Sequence, residues 1–175
     1  MTSPLLDIRD LKLTYATDRG EMQALRGVNM QAMPGEVVGI VGESGCGKSS
    51  LALASMALLP SNARVTGGEI RIQGKDIYKL NAGDRRALRG RNVGMIFQDP
   101  MTAFNPVLTI GRQLVDFQYN LKLSAPECLS RAAAMLTRVG LPNPESTLAR
   151  YVHELSGGMR QRVGIAAALL MKPSV

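Results

Sequence analysis

Cysteine and histidine are nearly absent from this 175-residue sequence. There are two cysteines, Cys46 and Cys128, and one histidine, His153. So few cannot make a disulfide framework or a metal cluster, and unpaired thiols suit a reducing compartment. Long apolar runs are also missing. The longest, "LALASMALL" (51–59) and "IAAALLM" (165–171), fall well short of the roughly 18 residues that cross a bilayer. "MTSPLLDIRD" has no basic region leading into an apolar core, so no signal peptide is expected. Aromatic residues make up 4% of the chain. None interleaves with the densest basic stretch, "DRRALRGR" (84–91), which removes the stacking platforms a single-stranded nucleic acid uses. That stretch reads as a solvated helix face. Acidic residues end at Glu154; neither Asp nor Glu follows it.

What is present suits a globular protein with a core of its own: hydrophobic residues at 45%, charged residues at 20%. A formal charge of +7 is compatible with a polyanionic partner, nucleotide phosphates among them. "LLDIRDLKLTY" (5–15) and "QALRGVNMQA" (23–32) alternate with a period near two and predict half-exposed antiparallel strands. "EVVGIVG" (36–42) and "NVGMIFQ" (92–98) are continuous apolar runs, the pattern of strands buried on both faces. "GGEIRIQG" (67–74) predicts another strand, and a helix from about Lys48 must end before Pro60. From Val107 onward the spacing turns helical. Ser124 and Glu127 stand in the capping-box relation, Gly140 is a C-terminal cap, and a final helix starts near Gly158.

"GESGCGKS" (42–49) matches G-x-x-x-x-G-K-[ST] between a predicted strand and a predicted helix. Gly42, Gly45 and Gly47 allow a sharp turn that brings N–H groups against phosphate oxygens. The dipole of the helix that follows favours the same anion. Lys48 is expected on the β- and γ-phosphates and Ser49 on Mg²⁺. Glu43, Ser44, Cys46 and Ser50 complete the candidate nucleotide contacts. Cys46 reads first as a small residue that fits the loop; a reactive thiol at the helix start is the sharper alternative.

"LSGGMRQRV" (155–163) adds a second element: a serine and two glycines, Ser156, Gly157 and Gly158, opening a helix. Together with the phosphate loop it resembles the signature of ATP-binding cassette (ABC) proteins. "DPMTAFNPVLTIGRQL" (99–114) and "YVHELSGGMRQRV" (151–163) are similar to the ATPases of dipeptide, oligopeptide, nickel and glutathione importers, with Val152 where proline is more usual. The resemblance implies an α/β fold of the P-loop NTPase class, ABC type: an antiparallel β-subdomain, an incomplete parallel core sheet and a helical subdomain. It divides the chain into 1–98, 99–157 and a signature helix over 158–172. It implies that Gln98 reaches the metal and the attacking water, and that Tyr15 stacks on adenine. Ser156 to Gly158 would touch ATP held by a second cassette, and Asp99 to Thr109 would face a membrane subunit. ATP and Mg²⁺ are the implied cofactors. The implied partners are a second ATPase subunit, permease subunits and, indirectly, an extracytoplasmic solute-binding protein, with no nucleic acid. The implied place is the cytoplasmic face of the cell membrane.

In that family a Walker B strand with an Asp for Mg²⁺ and a catalytic Glu, then a switch histidine, follow the counterpart of "ALLMKPSV". The 175 residues are therefore expected to be the N-terminal portion of such a subunit and to hydrolyse no ATP alone. His153, which precedes the signature, reads as structural. Without the family's neighbouring strands, 36–42 would present an unpaired apolar edge. A DNA-maintenance ATPase of ABC type is disfavoured, because no sustained heptads separate Gln98 from Ser156. A non-catalytic nucleotide-binding module is the other alternative.

Overall fold

The computed structural model describes residues 3–99 and 103–175. It divides into two compact units, Met1–Val93 with Ser174–Val175, and Gly94–Pro173.

The first unit is built on an antiparallel sheet. Strands β1 (Leu6–Thr17) and β2 (Gly20–Ala32) form a hairpin, helix α1 spans Lys48–Ser55, and β3 (Ala63–Ile72) and β4 (Lys75–Asp76) complete a sheet of order β2-β1-β3-β4. The hairpin turn is closed by the Thr17 hydroxyl donating to the Gly20 carbonyl at 2.7 Å. The alternation of β1 is not strict, and the reason is local. Leu6 and Ile8 point inward, then Leu11 and Leu13 do, so the phase slips by one residue between the pairs. The slip coincides with a bulge at Asp10, whose φ is +45°. Opposite it, a Cβ on Gly68 would collide with the carbonyl oxygens of Arg9 and Asp10, so only glycine lets β3 pass the bulge. Ile70, Ile72 and Ile77 close the apolar layer. Asp7, between Leu6 and Ile8, is buried on the opposite face of the sheet, accepting hydrogen bonds from Arg9 Nε at 2.9 Å and Gln31 Nε2 at 3.1 Å. The Arg9 guanidinium is the main reason its carboxyl titrates below the usual range.

Helix α2 (Ala82–Arg91) carries the basic stretch. No residue in it is buried, as a solvated face requires. Asn81 caps it by accepting from the Asp84 N–H at 2.9 Å, and the backbone leaves helical geometry at Arg89 and Gly90.

The second unit is helical: α3 (Ile110–Asp116), α4 (Ala125–Arg138), α5 (Pro144–Ala149) and α6 (Gly157–Leu169), with 3₁₀ turns at Tyr119–Leu121 and Val152–Glu154. Its core gathers Ile110, Leu114, Leu136, Val152, Val163 and Leu170. The capping box opens α4: the Ser124 N–H and hydroxyl both donate to Glu127, at 2.8 and 2.6 Å. Gly140, at φ +76°, turns the chain out of α4, and Arg162 donates to its carbonyl at 2.6 Å. Buried Gln118 donates to the carbonyls of Leu114 and Cys128 and accepts from Arg131, which also reaches the Leu170 carbonyl.

Two expected strands are corrected. Residues 36–42 and 94–98 form no strand ladder, and their apolar side chains face outward. Val37 is 96% exposed and Val41 93%, and Ile96 is half exposed. A strand buried on both faces needs hydrogen-bonding neighbours and covering layers. Among the described residues no strand is paired with either segment. Segment 36–42 is left unpaired, apolar and exposed, without being the edge of a sheet. Val93 makes an isolated bridge to Arg89, its N–H donating to the Leu88 carbonyl and its own carbonyl accepting from the Gly90 N–H, and the Asn92 carbonyl accepts from the N–H groups of Ser174 and Val175.

Candidate functional site

The phosphate loop lies in the first unit. Gly45 and Gly47 adopt φ of +82° and +100°, a region that side chains with a Cβ rarely enter. The two glycines face different surroundings. A Cβ on Gly47 would lie 2.9 Å from Leu25 Cδ2 and 3.0 Å from the Ala24 carbonyl oxygen, so this residue seats the loop against β2. A Cβ on Gly45 would meet nothing within 4 Å. A Cβ on Gly42 would come 2.6 Å from Cys46 Sγ, which shows how tightly the loop closes on itself. Gly42, Glu43, Ser44, Gly45 and Cys46 are all exposed.

Helix α1 starts at Lys48, and its first i→i−4 bond runs from the Leu51 N–H to the Gly47 carbonyl at 2.9 Å. The amides of Lys48, Ser49 and Ser50 precede that bond and have no intrahelical acceptor. They form a concentration of donors at the positive end of the helix. The Lys48 ammonium folds back over the loop, donating to the carbonyls of Gly42 and Glu43, each at 2.7 Å, with Cys46 Sγ at 3.6 Å. Bare amides, one cation and an open glycine suit an anion with several oxygens, which would draw the ammonium off the two carbonyls.

Two tyrosines hold α1. The Tyr15 hydroxyl lies 3.0 Å from Ser50 Oγ, and the Tyr78 hydroxyl donates to the Ala54 carbonyl at 3.0 Å. Burial raises the Tyr78 phenol to about 12 even though the Arg85 guanidinium, 5.8 Å from the ring centroid, opposes the shift. Tyr15 is half-buried. The sequence reading had no role for Tyr78. "DIYKL" carries no motif, and only the fold brings it to α1.

The remaining candidate residues lie in the second unit. Gln98 is exposed in a bend. Ser156 is the N-cap of α6, its hydroxyl accepting from the Met159 N–H at 3.4 Å. Gly157 and Gly158 are exposed, and a Cβ on either would meet nothing within 4 Å. This helix start is braced from within the motif. Arg160 donates to the carbonyls of Val152 and His153 at 3.1 and 3.2 Å, clasping the preceding 3₁₀ turn. The sequence reading assigned nothing to Arg160. His153 is exposed and stacks on Tyr151, ring centroids 5.5 Å apart. Of the stretch expected to face a membrane subunit, Pro100, Met101 and Thr102 lie outside the described residues. No helix among the described residues is long and apolar enough to cross a membrane.

The family described as "ABC transporter" matches residues 25–175. The chain is 45% identical over 173 residues to a probable peptide ABC transporter ATP-binding protein of Sinorhizobium fredii, covering 98% of this chain and 52% of that protein. It is 43% identical to the dipeptide transport ATP-binding protein DppD of Bacillus subtilis, with the same coverage. It thus spans about half the length of the curated relatives it matches. Among solved structures, a dimeric bacterial ABC transporter cassette, MJ0796, superposes with a TM-score of 0.83 at 29% identity, covering 96% of this chain and 70% of that one. The protein cbiO1 of Clostridium perfringens, part of the ABC transporter complex cbiONQ, gives 0.75 at 29% identity, covering 97% and 62%. With a family match over most of its length and the fold of a partial cassette, antiparallel β-subdomain plus helices, the chain belongs to the ABC transporter family.

Proposed function

We propose that the chain is part of the ATP-binding subunit of an importer for peptides or similar small solutes, and that it binds Mg·ATP without hydrolysing it. The observation that carries this is the start of α1, where the amides of Lys48, Ser49 and Ser50 lack intrahelical acceptors beside an ammonium held by two loop carbonyls and the Cys46 sulfur. Peptide transport is the activity named for the relatives just described.

The residues present suit the implied ligands. Gly42 to Ser50 would hold the triphosphate. Mg²⁺ keeps most of its water and takes phosphate oxygens with few protein ligands, so the Ser49 hydroxyl is an adequate contribution from this loop. Among the described residues no group of three His, Cys, Asp or Glu side chains could hold a metal by itself. Tyr15 on the adenine and Gln98 on the metal and attacking water are roles within one cassette, and Ser156 to Gly158 on a second cassette's ATP is a role for the assembled dimer. The subdomain division at residues 98 and 157 belongs to the same reading. So do the permease subunits, the solute-binding protein and a place on the inner face of the membrane.

Hydrolysis needs a carboxylate to orient the metal and another to polarise water, and the sequence has no Asp or Glu after Glu154. Mg·ATP binding and turnover should be measured on this chain, on Lys48→Ala and on a chain continued by about a hundred residues of a relative. Binding by the wild type, its loss in Lys48→Ala, and turnover only in the continued chain are expected. Turnover by the 175-residue chain above the Lys48→Ala background would refute the proposal.

A further inference from the structure

We propose that the Tyr15 hydroxyl positions the phosphate loop by acting through Ser50, a task distinct from stacking on the base. The inference rests on the nucleotide reading above and concerns the same site.

Tyr15 stands on β1, a strand hydrogen-bonded on both sides. Its register partners are Met22 on β2 and Ala63 on β3. Its backbone cannot move without disturbing two ladders. From this fixed point the phenol reaches Ser50 Oγ at 3.0 Å. Ser50 is the third residue of α1, within the turn whose amides face an incoming anion.

That turn has little other support. Helix α1 has only eight residues, and the segment before the loop, 36–42, is bound into no sheet. What holds the helix is the seat of Gly47 on β2, the buried side chains of Leu51 and Ala54, and the two phenols. Tyr78 grips Ala54, near the far end. Of the two phenols, only Tyr15 touches the anion-facing turn.

Hydrogen-bond polarity gives the contact a direction. Phosphate oxygens only accept, so a Ser50 hydroxyl turned to a phosphate must donate its single proton. Its oxygen can then accept from the Tyr15 O–H at the same time. The phenol would thus fix the serine in the orientation a phosphate needs, lowering the ordering cost of binding. Phenylalanine keeps the ring and loses this donor.

The test uses the full 175-residue chain and two probes, Mg·ATP and inorganic tripolyphosphate, titrated by calorimetry. Tyr15→Phe should weaken both probes by the same factor, about 2- to 12-fold, the worth of one neutral hydrogen bond. In a Ser50→Ala background, Tyr15→Phe should have no further effect. Ser50→Thr, which keeps a hydroxyl, should retain sensitivity to Tyr15→Phe. Loss confined to Mg·ATP would assign Tyr15 to the base alone and overturn the proposal. So would an undiminished effect in the Ser50→Ala background. Tyr78→Phe removes the hydroxyl at the other end of the helix. Equal weakening by that variant would show general loosening of α1, again against the proposal. If wild type and Lys48→Ala both ignore tripolyphosphate, the phosphate-loop reading itself falls, and this inference with it.

Discussion

Gly45 and Gly47 are two residues apart in one loop, yet alanine at each should do opposite damage. Both adopt positive φ, so either alanine pays a left-handed backbone cost of about 1–2 kcal/mol. Alanine also restricts the unfolded chain, which returns about 0.4–1 kcal/mol. At Gly45 nothing else is added, because a Cβ there meets no atom within 4 Å. The expected net loss of stability is about 1 kcal/mol. At Gly47 the new Cβ approaches Leu25 Cδ2 at 2.9 Å and the Ala24 carbonyl at 3.0 Å. The methyl group can rotate away, but the backbone oxygen belongs to β2 and yields little. Overpacking of this kind costs about 1–3 kcal/mol, giving a total near 2–4 kcal/mol. Affinity should run the other way relative to stability. The open space at Gly45 is where phosphate oxygens must approach the amides, so Gly45→Ala should lose most nucleotide binding while its urea midpoint moves little. Gly47→Ala should show the larger midpoint shift. The assay pairs urea unfolding, followed by circular dichroism, with tripolyphosphate titration of each variant. If Gly45→Ala binds normally, or is destabilised as much as Gly47→Ala, the division of the loop into a seated side and a ligand side is wrong.

Asp7 gives a pH prediction. Its carboxyl titrates below the 3.8 of an isolated aspartate because Arg9 and Gln31 bind the charged form. A depressed folded value means stability that is fully present above about pH 4 and lost as pH falls through the folded pKa. Asp7→Asn should therefore cost about 1 kcal/mol at neutral pH, discounted for the exposure of Arg9, and the gap to wild type should narrow during acid titration; a gap that does not narrow as pH falls would contradict this. Arg160→Ala should lower the urea midpoint by the equivalent of about 1–3 kcal/mol, since the Val152 carbonyl, on a buried residue, loses a charged donor. Arg160→Lys should recover part of it, and no change in either variant would show the clasp to be idle. Val37→Lys with Val41→Lys places charge on a nearly fully exposed apolar segment. It should reduce light scattering and concentration-dependent association with little effect on folding; unchanged association would mean that this segment is not the sticky one.

The sequence by itself determined a good deal. The order of glycines in "GESGCGKS" and "LSGGMRQRV" identified both helix starts, because a tight turn into a helix admits few residue types. Ser124, Glu127 and Gly140 marked the ends of α4, since caps are chosen by hydrogen bonds within a few residues. Period-two alternation found β1 and β2. The inward phase of β1 was legible only in halves, because the bulge at Asp10 depends on what β3 brings opposite it, and that is Gly68, far along the chain. Tertiary structure alone decided the fate of "EVVGIVG". Its composition asks for burial on both faces, but burial is a property of neighbours, and no strand among the described residues is paired with it. The same holds for Tyr15, Tyr78 and Arg160. Their chemistry is common, and only the packing of strands and turns around α1 and α6 turns a phenol or a guanidinium into a group that holds a helix end in place.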